Sequence, residues 1–175
     1  MARMELSVES WSSPLGRLTW CSTPDGALCG LAFEHRLDSL WSFLEKRFES
    51  VERRECRQPE VRDSMQRYFD GEIEAIDTLR VDTGGSEFQR SVWEQLRLVR
   101  GGMTASYSDL AQTLGKPTGF RAVATANATN PVAIVVPCHR IIHADGGISG
   151  YGGGVDKKRW LLEHEAEHAP FRLAP

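Results

Sequence analysis

The chain has 175 residues, of which 41% are hydrophobic and 26% charged, and a formal net charge of −3. These values suit a folded globular protein with one full core or two small lobes, and they count against a surface that is basic throughout. No apolar run reaches membrane-spanning length and residues 1–6 lack a signal-peptide core, so a cytoplasmic protein without a membrane partner is expected.

The first third reads as strands. Residues 6–11 alternate weakly, Ser13-Pro14-Leu15-Gly16 makes a turn, and 17–21 and 27–33 flank a second turn at Thr23-Pro24-Asp25-Gly26. A β-meander is the simplest product. Leu37, Leu40, Trp41, Phe43 and Leu44 fall at helical spacing and predict a helix over 37–48, and 61–69 repeats the pattern. The charged stretch 49–58 predicts a loop, and 76–81 a further strand or an extended link. Beyond Thr83-Gly84-Gly85 the character turns helical, over 86–98, 106–114 and 118–128, which places a lobe boundary there. Ser86 followed by Gln89 fits a capping box. The fold class expected is α+β: an N-terminal α/β lobe with an antiparallel sheet over 1–84, and a mostly helical lobe over 85–175.

Two helices around the turn Gly115-Lys116-Pro117 suggest a helix-turn-helix, and the second is rich in Ala, Thr and Asn, so it is narrow enough to approach DNA closely. The charge distribution agrees. Residues 1–99 carry 13 Lys/Arg and 18 Asp/Glu, residues 100–160 carry 7 and 3, and 161–175 carry 1 and 3, so the basic excess sits in the middle segment.

That segment also contains Ile134-Val135-Val136-Pro137-Cys138-His139-Arg140. The apolar run 131–136 predicts a short buried strand, at whose end a thiol, an imidazole and a guanidinium emerge together. A cysteine with such neighbours is a candidate low-pKa thiolate, the form that attacks carbon. Cys21 and Cys29 read as small hydrophobes in strands and Cys56 as an exposed bystander; a zinc site from Cys21, Cys29 and His35 is only weakly signalled, and no metal is expected. Six glycines within 146–154 make a loop whose amides lie open to a ligand, without the spacing of a phosphate loop. A last helix starts near Asp156 as N-cap, packs Trp160, Leu161 and Leu162 inward, and leaves Lys157-Lys158-Arg159 facing solvent.

Taken together, Asn130-Pro131, Pro137-Cys138-His139-Arg140, Gly150-Tyr151-Gly152-Gly153-Gly154 and Trp160-Leu161-Leu162-Glu163-His164-Glu165 resemble the O6-alkylguanine-DNA alkyltransferase family over about residues 86–166. The resemblance implies direct reversal of DNA damage. The alkyl group of O6-alkylguanine, and of O4-alkylthymine, would pass irreversibly to Cys138 after base flipping, once per molecule and without a cofactor. It implies that His139 takes the thiol proton through a water and that Glu165 orients the imidazole. It further implies that Tyr107 donates to the guanine, that Asn130 braces the turn carrying Cys138, and that Arg121 fills the space of the flipped base from the minor groove. Thr118, Ala122, Ala124, Thr125, Asn127 and Ala128 would complete the DNA face. Tyr107, Ala133, Val136, Ile141, Tyr151, Gly152 and Gly153 would line the pocket, with main-chain groups of Cys138, Ile141 and Gly152 reading the base. The implied partner is double-stranded DNA carrying alkylated bases, bound by a monomer.

Two positions depart from the family's usual pattern: Thr129 stands where an Arg is frequent, and Ala133 where some members have Pro. Two other readings compete. One is a protein that recognises alkylated bases without transfer, although such relatives carry Trp in place of the cysteine. The other is a cysteine hydrolase with a Cys138–His139–Glu165 triad, disfavoured because neighbouring strand side chains point to opposite faces.

Overall fold

A computed structural model describes residues 3–148 and 150–170. The chain opens with the predicted meander, β1 (Met4–Ser13), β2 (Gly16–Ser22) and β3 (Leu28–Phe33), paired antiparallel in sequence. Helix α1 (Leu37–Phe48) then crosses one face of this sheet. The expected loop that follows contains a strand, β4 (Val51–Glu55), which pairs parallel with β1 and gives the order β3-β2-β1-β4. The sheet is therefore mixed rather than purely antiparallel. Four of the five β4 residues are charged and exposed, so no alternation marked the strand, and it is its backbone ladder to β1 that creates it. A charged edge of this kind also discourages further strand pairing.

The two faces of the sheet bury different cores. Leu6, Cys21, Cys29 and Ala32 pack against Leu40, Trp41 and Leu44 of α1. Contact there is so close that a Cβ on Gly30 would lie 2.7 Å from Cys21 Sγ and 2.9 Å from Leu40. On the other face, Leu18, Trp20, Leu28, Leu31 and Phe33 belong to a larger core shared with α2 (Pro59–Phe69) and with C-terminal residues such as Trp93, Val132, Val136 and Leu161. One core thus runs through both halves of the chain.

Between the halves, residues 75–78 form a 3-10 turn, and beyond it Val81 makes one parallel bridge to Leu28. Arg97 Nη2 donates to the carbonyls of Asp77 at 3.1 Å and Leu79 at 2.9 Å, which fastens that turn to the next helix. Helix α3 (Glu87–Leu96) carries the predicted capping box: Gln89 N donates to Ser86 Oγ at 3.1 Å, and Ser86 N to Gln89 Oε1 at 2.9 Å. After β5 (Ala105–Ser106), helix α4 (Tyr107–Thr113) is capped in the same way by Ser106 and Asp109. Helix α5 (Phe120–Ala128) follows a six-residue turn and is held by a 2.8 Å bond from Trp93 Nε1 to the Ala126 carbonyl.

Residues 131–136 are no strand. Val132 makes a single bridge to Leu31, after which the chain winds through turns with Ile134 at φ 70°. A β-branched residue in that left-handed region is strained, and the surrounding core holds it there. Every side chain but Ala133 in the segment is buried, and this is why periodicity alone read it as a strand. A 3-10 turn at Cys138–Arg140 leads into β6 (Ile141–Ile142), paired parallel with β5. The last helix, α6 (Val155–His168), is preceded by Gly154 at φ 103°, so Asp156 sits in its first turn and is not its cap.

Candidate active site

The β5–β6 pair decides where the reactive groups meet. Ala105 pairs with Ile141 and Ser106 with Ile142, so the first residue of α4, Tyr107, starts beside the turn that carries Cys138. From the other side, Asn130 ties that turn down: its side-chain Nδ2 donates to the Val136 carbonyl at 2.7 Å, and its Oδ1 accepts from Val132 N at 2.9 Å. Cys138 N donates to Val136 O at 2.8 Å, and Asn127 Nδ2 reaches the Cys138 carbonyl at 3.4 Å. The turn that carries the thiol is thus held by backbone and amide contacts.

Behind it lies a buried ionic cluster. His139, Arg140 and Glu165 are at most 2% exposed. His139 Nε2 lies 3.0 Å from both Glu165 oxygens. Arg140 grips the same carboxylate in a bidentate fork, Nε to Oε1 at 2.9 Å and Nη2 to Oε2 at 2.7 Å, while its Nη1 donates to Val99 O at 2.7 Å. From α2, the Tyr68 hydroxyl donates to Glu165 Oε2 at 2.8 Å.

The electrostatics follow from this packing. Burial alone would push the Glu165 carboxyl up, but His139 and Arg140 outweigh it and hold the group well below the usual carboxylate range. Burial pushes His139 down, against the pull of Glu165, so the imidazole is neutral at physiological pH. His139 Nδ1 is buried and has no hydrogen-bond partner among the described residues. A neutral imidazole with Nε2 on a carboxylate has its second nitrogen available as a base.

Cys138 itself is raised by burial, opposed by the Asn130 side chain and the Lys158 charge. The expected low-pKa thiolate is therefore not the resting state, because Arg140 is committed to Glu165. Lys158 was expected in solvent; instead it is fully buried and its Nζ donates to Ile141 O at 2.6 Å. Of the basic triplet, only Arg159 is exposed.

The thiol opens into a cavity of about 220 Å³, whose walls include Asn130, Ala133, Tyr151, Gly153, Phe33 and Arg36. A Cβ at Gly153 would come within 2.7 Å of both Phe33 and Tyr151, so the loop closes on the sheet only with glycine there. The site's chemistry is that of a protected sulfur nucleophile beside a neutral base.

Among relatives, a Salmonella typhimurium methylated-DNA–protein-cysteine methyltransferase is 41% identical over 165 residues, covering 93% of this chain and 96% of its own. The chain belongs to that family. The family profile described as 6-O-methylguanine DNA methyltransferase, DNA binding domain, matches residues 87–167. The crystal structure of Mycobacterium tuberculosis O6-methylguanine methyltransferase superposes with a TM-score of 0.75 at 33% identity, covering 95% of this chain and 96% of that one. Mycobacterium tuberculosis OGT in complex with DNA gives a TM-score of 0.76 at 34% identity, covering 95% of each chain.

Within this family member, the residues singled out from sequence fall into three places. Cys138, His139, Glu165, Asn130 and Tyr107 converge, with the Tyr107 hydroxyl facing Asn127 and its pKa raised by burial and the Cys138 charge. Thr118, Arg121, Ala122, Thr125 and Ala128 are exposed around α5 and Ala124 half so, but Asn127 is buried against Cys138 and does not belong to the outer face. Ala133, Tyr151, Gly152 and Gly153 line the cavity; Tyr107, Val136 and Ile141 do not, their side chains lying in the core. Main-chain groups at the site are already engaged, Ile141 O by Lys158 and Gly152 O by His35 Nε2 at 2.9 Å. That contact also takes His35 away from the buried Cys21–Cys29 pair, whose sulfurs are 3.7 Å apart. Sequence reading missed Tyr68, Lys158 and the role of Arg140. Arg140 stood next to the motif and was visible; the other two carried no local signal.

Proposed function

We propose that this protein repairs DNA by taking the alkyl group of O6-alkylguanine, and of O4-alkylthymine, onto Cys138 in a single irreversible turnover. As the thiol proton leaves through a water to His139 Nδ1, the sulfur attacks the alkyl carbon. The carbon–O6 bond breaks, its electron pair passes into the purine, and a proton returns at guanine N1. The thioether has no leaving group, so the protein is consumed. The single observation that carries the reading is the cavity-lining thiol backed by a buried neutral imidazole on Glu165.

Supporting roles follow from placement. Tyr107, kept protonated, donates to the base as it leaves; Arg121 on the exposed face of α5 fills the vacated stack. Residues 85–175 carry DNA binding and the acceptor, and residues 1–84 brace them. DNA is the partner, as an alkylated duplex bound by a monomer, with salt-sensitive affinity and in the cytoplasm. No helix among the described residues is long and apolar enough to cross a membrane.

The test is peptide mass spectrometry after mixing with a duplex containing O6-methylguanine. One methyl on the Cys138 peptide, at no more than one equivalent and absent in Cys138→Ser, is the expected result. Tight binding with no mass change would instead mean recognition without transfer.

A further inference from the structure

Among the described residues, the only exposed Phe, Tyr or Trp side chain is Phe120, 41% accessible. It opens helix α5 and immediately precedes Arg121. Its ring meets that of Tyr107 edge-on, 5.5 Å between centroids, and His143 flanks Tyr107 on another side at 5.6 Å. At helical spacing, Ala124 lies one turn beyond Phe120, and Asn127 and Ala128 lie two turns beyond. Asn127 touches the Cys138 carbonyl and both residues line the cavity. One flank of α5 therefore leads from an exposed ring, past Tyr107, to the thiol, while Arg121 points from the adjoining outer face.

Part of this ring stays in solvent beside Tyr107, on a helix whose other exposed residues are small or polar, so a flat apolar partner laid on it would bury that surface. A nucleobase is the partner this placement fits. Its flat face stacks on an aromatic ring whatever the sequence, and the ring is already oriented by Tyr107, so little freedom is lost on stacking. We propose that Phe120 is a stacking platform for the base leaving the duplex, holding it between Arg121 and Tyr107 before it reaches Cys138. This rests on the DNA alkyl-transfer reading above and adds to it a positioning residue outside the acceptor cluster.

The experiment compares Phe120→Ala, Phe120→Leu and Phe120→Trp with the unaltered protein. Methyl transfer from an O6-methylguanine duplex is timed under single-turnover conditions, and methylation of the Cys138 peptide by methyl iodide, which needs no DNA, is timed alongside. Stacking predicts that Ala and Leu slow duplex transfer by about tenfold, that Trp keeps it, and that all four react alike with methyl iodide. Duplex transfer unchanged in Ala, or Leu behaving as Phe, overturns the platform. So does a parallel loss with methyl iodide, which would make Phe120 only a support for Tyr107. If the unaltered protein is methylated by methyl iodide but never by the duplex, the transferase reading itself falls, a result distinct from the others.

Discussion

The Tyr68 hydroxyl donates a 2.8 Å hydrogen bond to Glu165, joining a helix of the N-terminal half to the carboxylate that holds His139. Both groups are essentially inaccessible to solvent. The N-terminal half therefore supplies a donor to the His139–Glu165 cluster as well as a surface for it to rest on.

Tyr68→Phe removes that donor and leaves the ring in place. Its expected cost is about 1.5–3 kcal/mol of stability, as for a buried bond to a charged acceptor, together with slower methyl transfer. Urea unfolding and single-turnover rates measure the two. An unchanged urea midpoint would mean the bond contributes nothing net.

Arg140 and Glu165 form a buried pair, and breaking one side of such a pair leaves an uncompensated charge. Glu165→Gln is expected to cost about 3–5 kcal/mol, whereas the double variant Glu165→Gln with Arg140→Met loses less than the sum. A double-mutant cycle in urea checks this, and strict additivity would refute the coupling.

The pH dependence has a definite sign. Glu165 is depressed in the folded state, so its contribution is complete above the ordinary carboxyl value of about 4.3 and is lost as pH falls through the lower folded value. His139 is also depressed, so below its ordinary value of about 6.5 the unfolded chain takes up a proton that the folded one refuses. Both favour the folded state more as pH rises. The urea midpoint should decline from pH 7 to pH 4, and His139→Gln should remove the upper part of that decline. The same depression keeps the base neutral, so the acid limb of the transfer rate should lie below pH 6.5 or so.

Lys158 buries a cation whose field lowers Cys138 and whose Nζ binds Ile141 O. Lys158→Met keeps the stem and removes the charge, so the Cys138 thiol should titrate higher and transfer should slow. The pH profile of Cys138 alkylation by methyl iodide reads this directly. An unshifted profile would show that Lys158 only packs.

Local chemistry was legible in the chain. The Ser86 cap, the periodicity of α1 and α2 and the β-turns depend on neighbours within a few residues, and the Pro-Cys-His-Arg motif with its glycine loop is contiguous. Where several sequence-distant groups share one space, sequence reading failed. β4 exists only through its pairing with β1, and 131–136 is buried as a turn because Asn130 and the core hold Ile134 there.

What the sequence by itself determined is therefore the set of reactive groups, their family and most of the helices, because residue type and short-range spacing dictate those. What only the tertiary structure decided is their state. Arg140 is spent on Glu165, Lys158 is drawn inside, Asn127 faces Cys138, and Tyr68 arrives from 97 positions away. Burial and pairing set ionisation, and both are properties of the space around a group that its neighbours in the chain do not encode.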